Sequence, residues 1–159
     1  MHALFYRIVH AISSTRWFGR VGPYVFPHLD RVVHRATGGK LLVSSLVQPG
    51  LVLTSTGARS GLPRESPLAS LADEKGWLVV GSNFGQDGHP AWTYNLIAHP
   101  DATISWQGED VPVTARLLEG AERKEAWAEL LAFYPPYAVY ASRVDREIRL
   151  FRLVRRAIP

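Results

Sequence analysis

Three stretches of this sequence place chemically capable side chains at telling intervals. In Thr54-Ser55-Thr56-Gly57-Ala58-Arg59-Ser60-Gly61-Leu62-Pro63-Arg64, hydroxyls, glycines and two arginines crowd a turn between apolar segments. Glycines let a backbone approach a ligand, free N–H groups and hydroxyls bond phosphate oxygens, and guanidinium groups hold phosphate or carboxylate in a fork. The turn reads as an anion grip, with a plain exposed hairpin as the alternative. The second stretch runs from Val79 through Gly81-Ser82-Asn83-Phe84-Gly85 to Leu96, a strand that ends in small residues before a helix starting near Pro90. That start offers unpaired N–H donors, and Trp92 and Asn95, three apart, share a face. A capped loop over a core tryptophan is the other reading. In the third stretch Tyr134, Tyr137 and Tyr140 recur every three residues, which in a helical turn crowds three phenols onto one face. They line a flat aromatic pocket and donate protons or hydrogen bonds, or else they form a packing stripe.

Other chemistries lack their residues. The chain has no cysteine, which removes disulfides, thiol nucleophiles, thiolate zinc sites and cysteine-held iron–sulfur clusters together. There is no G-x-S-x-G elbow, no H-E-x-x-H and no P-loop, and His2, His10, His28, His34, His89 and His99 are scattered without metal spacing. The glycines follow no strand–helix–strand pattern of a dinucleotide fold. What remains is a site that binds a ready-made reagent. A net charge of +4 and a pI near 9.7 favour an anionic partner, whether a phosphorylated cofactor, a membrane surface or nucleic acid. Nucleic acid is set aside because stacking aromatics are not interleaved with the arginines in a recognisable module.

The elements that must position these residues follow from periodicity. A chain of 159 residues makes one domain, 1–159, with a helical segment over 1–40 and a sheet-rich core over 41–159. Leu4, Phe5, Ile8, Val9 and Ile12 form one stripe of an N-terminal helix, which either docks on the protein body or a partner subunit or lies on a membrane surface with Arg7 and Arg16. A second helix is expected to begin near Pro27, turn Leu29, Val32, Val33 and Ala36 inward, and stop at Gly38-Gly39. Strands are expected at Leu41–Leu46, Leu51–Thr56, Glu65–Ala72, Trp77–Ser82, Thr103–Gln107, Val111–Leu118 and Ile148–Val154, with helices at Pro90–Ala98 and Ala121–Phe133. Six or seven antiparallel strands with peripheral helices make an α+β, barrel-like sheet. The absence of disulfides, of a signal peptide and of an apolar run of ~20 residues points to the cytoplasm, or to the inner face of the membrane if the first helix lies there.

In this order the three stretches resemble the deazaflavin-dependent nitroreductase family of actinobacteria, whose members use coenzyme F420. The motifs are T-x-T-G-x-(K/R)-(S/T)-G-x-P-R at Thr54 to Arg64, a Ser-ending strand at Ser82 with P-x-W-x-x-N-L-x-A-x-P at Pro90 to Pro100, and Y-P-x-Y-x-x-Y with a following Asp-Arg at Tyr134 to Arg146. The resemblance implies a split β-barrel like that of flavin-binding pyridoxamine-phosphate-oxidase-like proteins. It implies that Arg59, Ser60, Gly61 and Arg64 hold the phosphate and acidic tail of F420. Pro67, Leu68, Gly81, Ser82, Asn83, Trp92 and Asn95 would lie along the deazaflavin body, and Ser82, Tyr134, Tyr137 and Tyr140 would act at the reacting end. Two departures matter: Ala58 stands where relatives often carry a basic residue, and Asn83 where some carry lysine.

The implied activity is hydride transfer from reduced F420 to an apolar or aromatic acceptor such as a quinone, an enone or other activated alkene, or a nitro compound. Such chemistry asks the protein to bind the donor, expose one face and place the acceptor. A carrier that binds F420 without catalysis, and a split barrel that binds flavin mononucleotide (FMN), are the competing readings. Relatives of this fold occur as monomers and homodimers.

Overall fold

The computed structural model describes residues 11–13, 15–38 and 49–157. The expected strand Leu41–Leu46 and most of the first helix lie outside the described residues. Six strands, β1 (Gly50–Thr56), β2 (Pro63–Asp73), β3 (Gly76–Val80), β4 (Asp101–Trp106), β5 (Glu109–Leu117) and β6 (Leu150–Arg155), close into a barrel. The order around the barrel is β1-β2-β3-β6-β5-β4, with every neighbouring pair antiparallel. The expected strand boundaries agree to within two residues.

Side-chain alternation explains the two cores. On β3, Trp77 and Val79 point into the barrel while Leu78 points out; on β6, Phe151 and Leu153 point in and Leu150 points out. The interior is filled by these residues with Leu51, Leu53, Ile104, Val111 and Val113, and α2 (Ala91–Ala98) caps it by driving Trp92 against Phe151 at 5.6 Å and burying Leu96. Outside the barrel, α3 (Gly120–Phe133) and α4 (Pro136–Ala141) pack Leu130, Tyr134, Tyr137 and Tyr140 onto Leu78, Leu118, Ile148 and Leu150.

Helix α1 (Arg16–Ala36) departs from expectation. It starts eleven residues before Pro27, at the N-cap Thr15, whose side chain accepts the Phe18 N–H, so Pro23 and Pro27 lie inside it. Its inward face is also different. Leu29 and Val32 are exposed, and the residues that turn inward are Phe18, Gly22, Phe26, Asp30 and Val33. An i, i+4 register that begins at Phe18 places a different stripe against the barrel from one that begins at Pro27. His34 Nε2 meets Ser105 Oγ at 3.2 Å, and Arg35 pairs with Glu65 at 2.8 Å, fastening the helix across β4 and β2.

By sequence Arg146, Arg149, Arg152, Arg155 and Arg156, near the end of the chain, read as an edge-strand solubility device, a membrane-lipid contact or extra charge for an anionic tail, and the closed barrel leaves no free edge for the first. β6 has neighbours on both sides, and Arg152 is buried on Asp73 while Arg156 pairs with Asp101.

Candidate active site

The β1–β2 turn is closed from within. Gly57 N–H donates to Leu62 O at 2.8 Å and Gly61 N–H to Gly57 O at 2.8 Å, with Gly61 at φ +66°. A Cβ on Gly57 would fall 2.5 Å from Ser60 Oγ and 3.1 Å from the Leu62 carbonyl oxygen, so a larger residue there would displace the Ser60 hydroxyl and crowd the turn. Asn95 supports it from below: its Oδ1 accepts the Ala58 N–H at 2.9 Å, and its Nδ2 donates to Ser55 Oγ at 3.1 Å. Ser60 Oγ accepts from Leu62 N–H and from Arg64 Nη2. The backbone amides of Arg59 and Ser60 make no hydrogen bond among the described residues, and neither Arg59 nor Arg64 forms an ion pair among them. The tip is thus a cluster of exposed donors with unneutralised positive charge.

Below that tip a cavity of about 480 Å³ opens between β2, the segment after β3, α4 and α1. Pro67 and Leu68 form its β2 wall; Ser82, Asn83 and Trp92 stand on a second side and Tyr134, Tyr137 and Tyr140 on a third. Residues separated by more than sixty positions in the sequence meet there. Arg64 lies three residues up β2 from Pro67, about 10 Å at the usual strand rise. Gly81 and Asn95 are not in the wall. Gly81 packs on α2, where a Cβ would sit 2.9 Å from Thr93 Cγ2, and Asn95 props the hairpin.

The tyrosines form a stacked series. Tyr134 and Tyr137 meet edge to face at 5.0 Å and Tyr137 and Tyr140 at 6.3 Å; Phe84 and Phe18 extend the series to α1. Tyr140 Oη donates to Ser13 O at 2.8 Å, so its hydrogen is committed to the segment before α1. Burial pushes the Tyr140 phenol far above its ordinary value, with repulsion from Tyr134 adding to the effect. Burial also raises Tyr134, against hydrogen bonds with Ser13 and Tyr140 that lower it. Both remain neutral hydrogen-bonding groups at physiological pH.

The sequence reading missed the fourth wall. Phe18, Phe26, Pro27 and the buried carboxyl-bearing Asp30 of α1 line the cavity, as do Ile12 and Ser13. The spacing Phe18, Gly22, Phe26, Asp30 at successive i+4 positions was the available signal. Gly22 is small for a reason: a Cβ there would come 3.1 Å from the Phe84 ring.

The volume, the aromatic and apolar lining and the few polar groups suit a flat heterocycle, and the donor-rich tip suits its anionic extension. Among the described residues no group of histidines and carboxylates could hold a metal ion.

A family model described as F420H(2)-dependent quinone reductase matches residues 28–154. An F420H(2)-dependent quinone reductase of Mycobacterium tuberculosis is 29% identical over 152 residues, covering 91% of this chain and 100% of that protein. A solved F420-H2 dependent reductase, FDR-A, is 37% identical with a TM-score of 0.61, over 66% of this chain and 93% of that one. A second solved structure, described as a domain-swapped dimer, is 34% identical with a TM-score of 0.64, over 77% of this chain and 91% of its own. The chain belongs to the F420H(2)-dependent quinone reductase family and is an oxidoreductase that uses reduced coenzyme F420.

Proposed function

We propose that the cavity takes the deazaflavin ring system between Pro67, Leu68 and Trp92, with Ser82 and Asn83 at its polar edge, and that the acceptor is a quinone placed against the tyrosines and α1. The reading rests on one observation: Pro67, Ser82, Trp92 and Tyr137, from four separate segments, face one cavity below a hairpin whose two arginines form no ion pair among the described residues. Bound reduced F420 supplies the hydride. Arg59, Arg64 and the amides of Arg59 and Ser60 hold its phosphate and acidic tail and do no chemistry. Ser82 Oγ, which has no hydrogen-bond partner among the described residues, and the Tyr137 phenol hydrogen-bond the accepting oxygen. Well-placed proton donation of that kind contributes about 10²–10⁴ in rate.

The double substitution Arg59→Ala/Arg64→Ala tests the assignment. Losing two charge-assisted contacts raises the F420 dissociation constant by tenfold or more in a fluorescence titration, with turnover at saturation held within about twofold. An unchanged dissociation constant removes the arginines from the site.

The outer face of α1 favours a quinone delivered from a lipid phase. Trp17, Tyr24, Val25 and Val32 are exposed there, flanked by exposed Arg16 and Arg20. That pairing of amphipathic aromatics with cations suits an interfacial helix, and no helix among the described residues is long and apolar enough to cross a membrane. Cosedimentation with phosphatidylglycerol vesicles, weaker with phosphatidylcholine and lost in Trp17→Ser/Tyr24→Ser, is the expected result. Equal recovery of wild type and variant contradicts it.

A further inference from the structure

The turn that carries Ser82, Asn83 and Phe84 into the cavity is held in a conformation that its sequence does not favour. Asn83 has φ 49° and Phe84 φ 55°, ψ 25°, both in the left-handed region where a bulky side chain such as phenylalanine is rare. Something must hold it there. Phe84 packs on Phe18 and Tyr140, Asn83 Nδ2 donates to Gly88 O and Gln86 Nε2 to Gly19 O, and one residue more than sixty positions from Phe84 gathers the carbonyls on both sides of the pair.

Arg146 lies under the turn, partly buried, and its five N–H groups meet five acceptor contacts. Nη1 donates to Gly81 O at 3.2 Å and to His89 Nδ1 at 3.2 Å; Nη2 donates to Ser82 O and Gln86 O, each at 3.0 Å; Nε donates to Gln86 O at 3.3 Å. The three carbonyls bracket the strained pair on both sides. No N–H of this guanidinium is left to bind an anion. From outside the cavity, it fixes the path of the backbone that presents Ser82 and Asn83.

We propose that Arg146 is a positioning residue for the cofactor site: a guanidinium clamp that holds the Gly81–Gln86 backbone, with its left-handed Asn83-Phe84 pair, in the shape that presents Ser82 and Asn83 to the bound ring system. The inference rests on the assignment of that cavity to F420. It is specific to the planar fork of arginine, because a lysine ammonium has three donors on one atom and cannot span carbonyls on both sides of the turn.

The test compares Arg146→Lys and Arg146→Gln with wild type by F420 fluorescence titration and by thermal unfolding, with Ser82→Ala and Trp92→Ala as controls for the cavity. Both Arg146 variants are expected to bind F420 about tenfold more weakly, with the lysine variant no better than the glutamine one. Wild-type affinity in the lysine variant overturns the proposal, since charge alone then suffices. Wild-type affinity in both, with only a lower unfolding temperature, also overturns it and leaves Arg146 a fold-stabilising residue. If Ser82→Ala and Trp92→Ala bind as wild type does, the cavity assignment itself fails and the clamp fails with it. If weakened controls accompany unaffected Arg146 variants, only the clamp fails. Should neither Arg146 variant fold, amide exchange in the wild type decides. Gly85 N–H and Gln86 N–H, which donate within the turn to Ser82 O and Asn83 O, are expected to be protected to the level of the neighbouring strand β3. Exchange at the rate of an exposed turn overturns the proposal.

Discussion

Identical residue types do different work here according to what their polar atoms already touch. Tyr134, Tyr137 and Tyr140 are equivalent in sequence, yet Tyr140 has given its hydrogen to the Ser13 carbonyl. Tyr140→Phe removes that hydrogen bond, and the expected cost is about 0.5–1.5 kcal/mol in unfolding free energy, measured by denaturant titration. A loss below about 0.5 kcal/mol would mean that the bond contributes little. His89 is a second case. Burial, then Arg149 and Arg146, lower its pKa below the ordinary 6.5, and its Nδ1 accepts from Arg146 while its ring stands edge-on to Tyr94. Between the lowered folded value and 6.5 the unfolded chain binds more protons, so stability falls as the pH drops below about 6.5. Unfolding temperatures over about pH 5 to 7 are expected to decline more steeply in wild type than in His89→Gln. Parallel slopes would contradict the assignment.

At the scale of elements, the hairpin and α2 act as one piece. Asn95 is buried at 8% exposure and reaches across to Ala58 and Ser55, so the donor-rich tip is braced by a helix that also supplies Trp92. Asn95→Ala leaves Ala58 N–H and Ser55 without these partners. It is expected to lower stability by about 1–3 kcal/mol and to weaken F420 binding although Asn95 is not in the cavity wall. Weakened stability with unaltered F420 affinity would separate the brace from the grip.

The strands were legible in the sequence because alternation and turn residues are local signals, as in Trp77 to Val80 against Leu150 to Leu153. The tyrosine spacing was legible for the same reason. Helix α1 was not, because proline at position 27 reads as a helix start, and the stripe that meets the barrel is set by contact with Phe84. The partners of Asn95 and Arg146 were not legible, because they lie 37 and about 60 residues away, beyond any local pattern.

Across the whole molecule, the closed barrel serves as a frame whose outside corners carry the site. Its sheet has no free edge, and ion pairs fasten the outside: Arg152, 5% exposed, holds Asp73 at 2.6 Å, and Arg116 holds Glu122 at 2.6 Å. The cavity lies where α1, β2, the Ser82 turn and α4 converge on that frame, and the proposed function puts donor and acceptor together in this one enclosure walled by aromatic rings. The most direct measurement of that arrangement is a single turnover without oxygen, in which protein loaded with reduced F420 is mixed with a soluble quinone. The expected result is one equivalent of oxidised F420 per quinone reduced, with the rate lowered at least tenfold in Ser82→Ala/Tyr137→Phe while reduced F420 binds as in wild type. Wild-type rates in that double variant would contradict the placement of the reaction in this cavity.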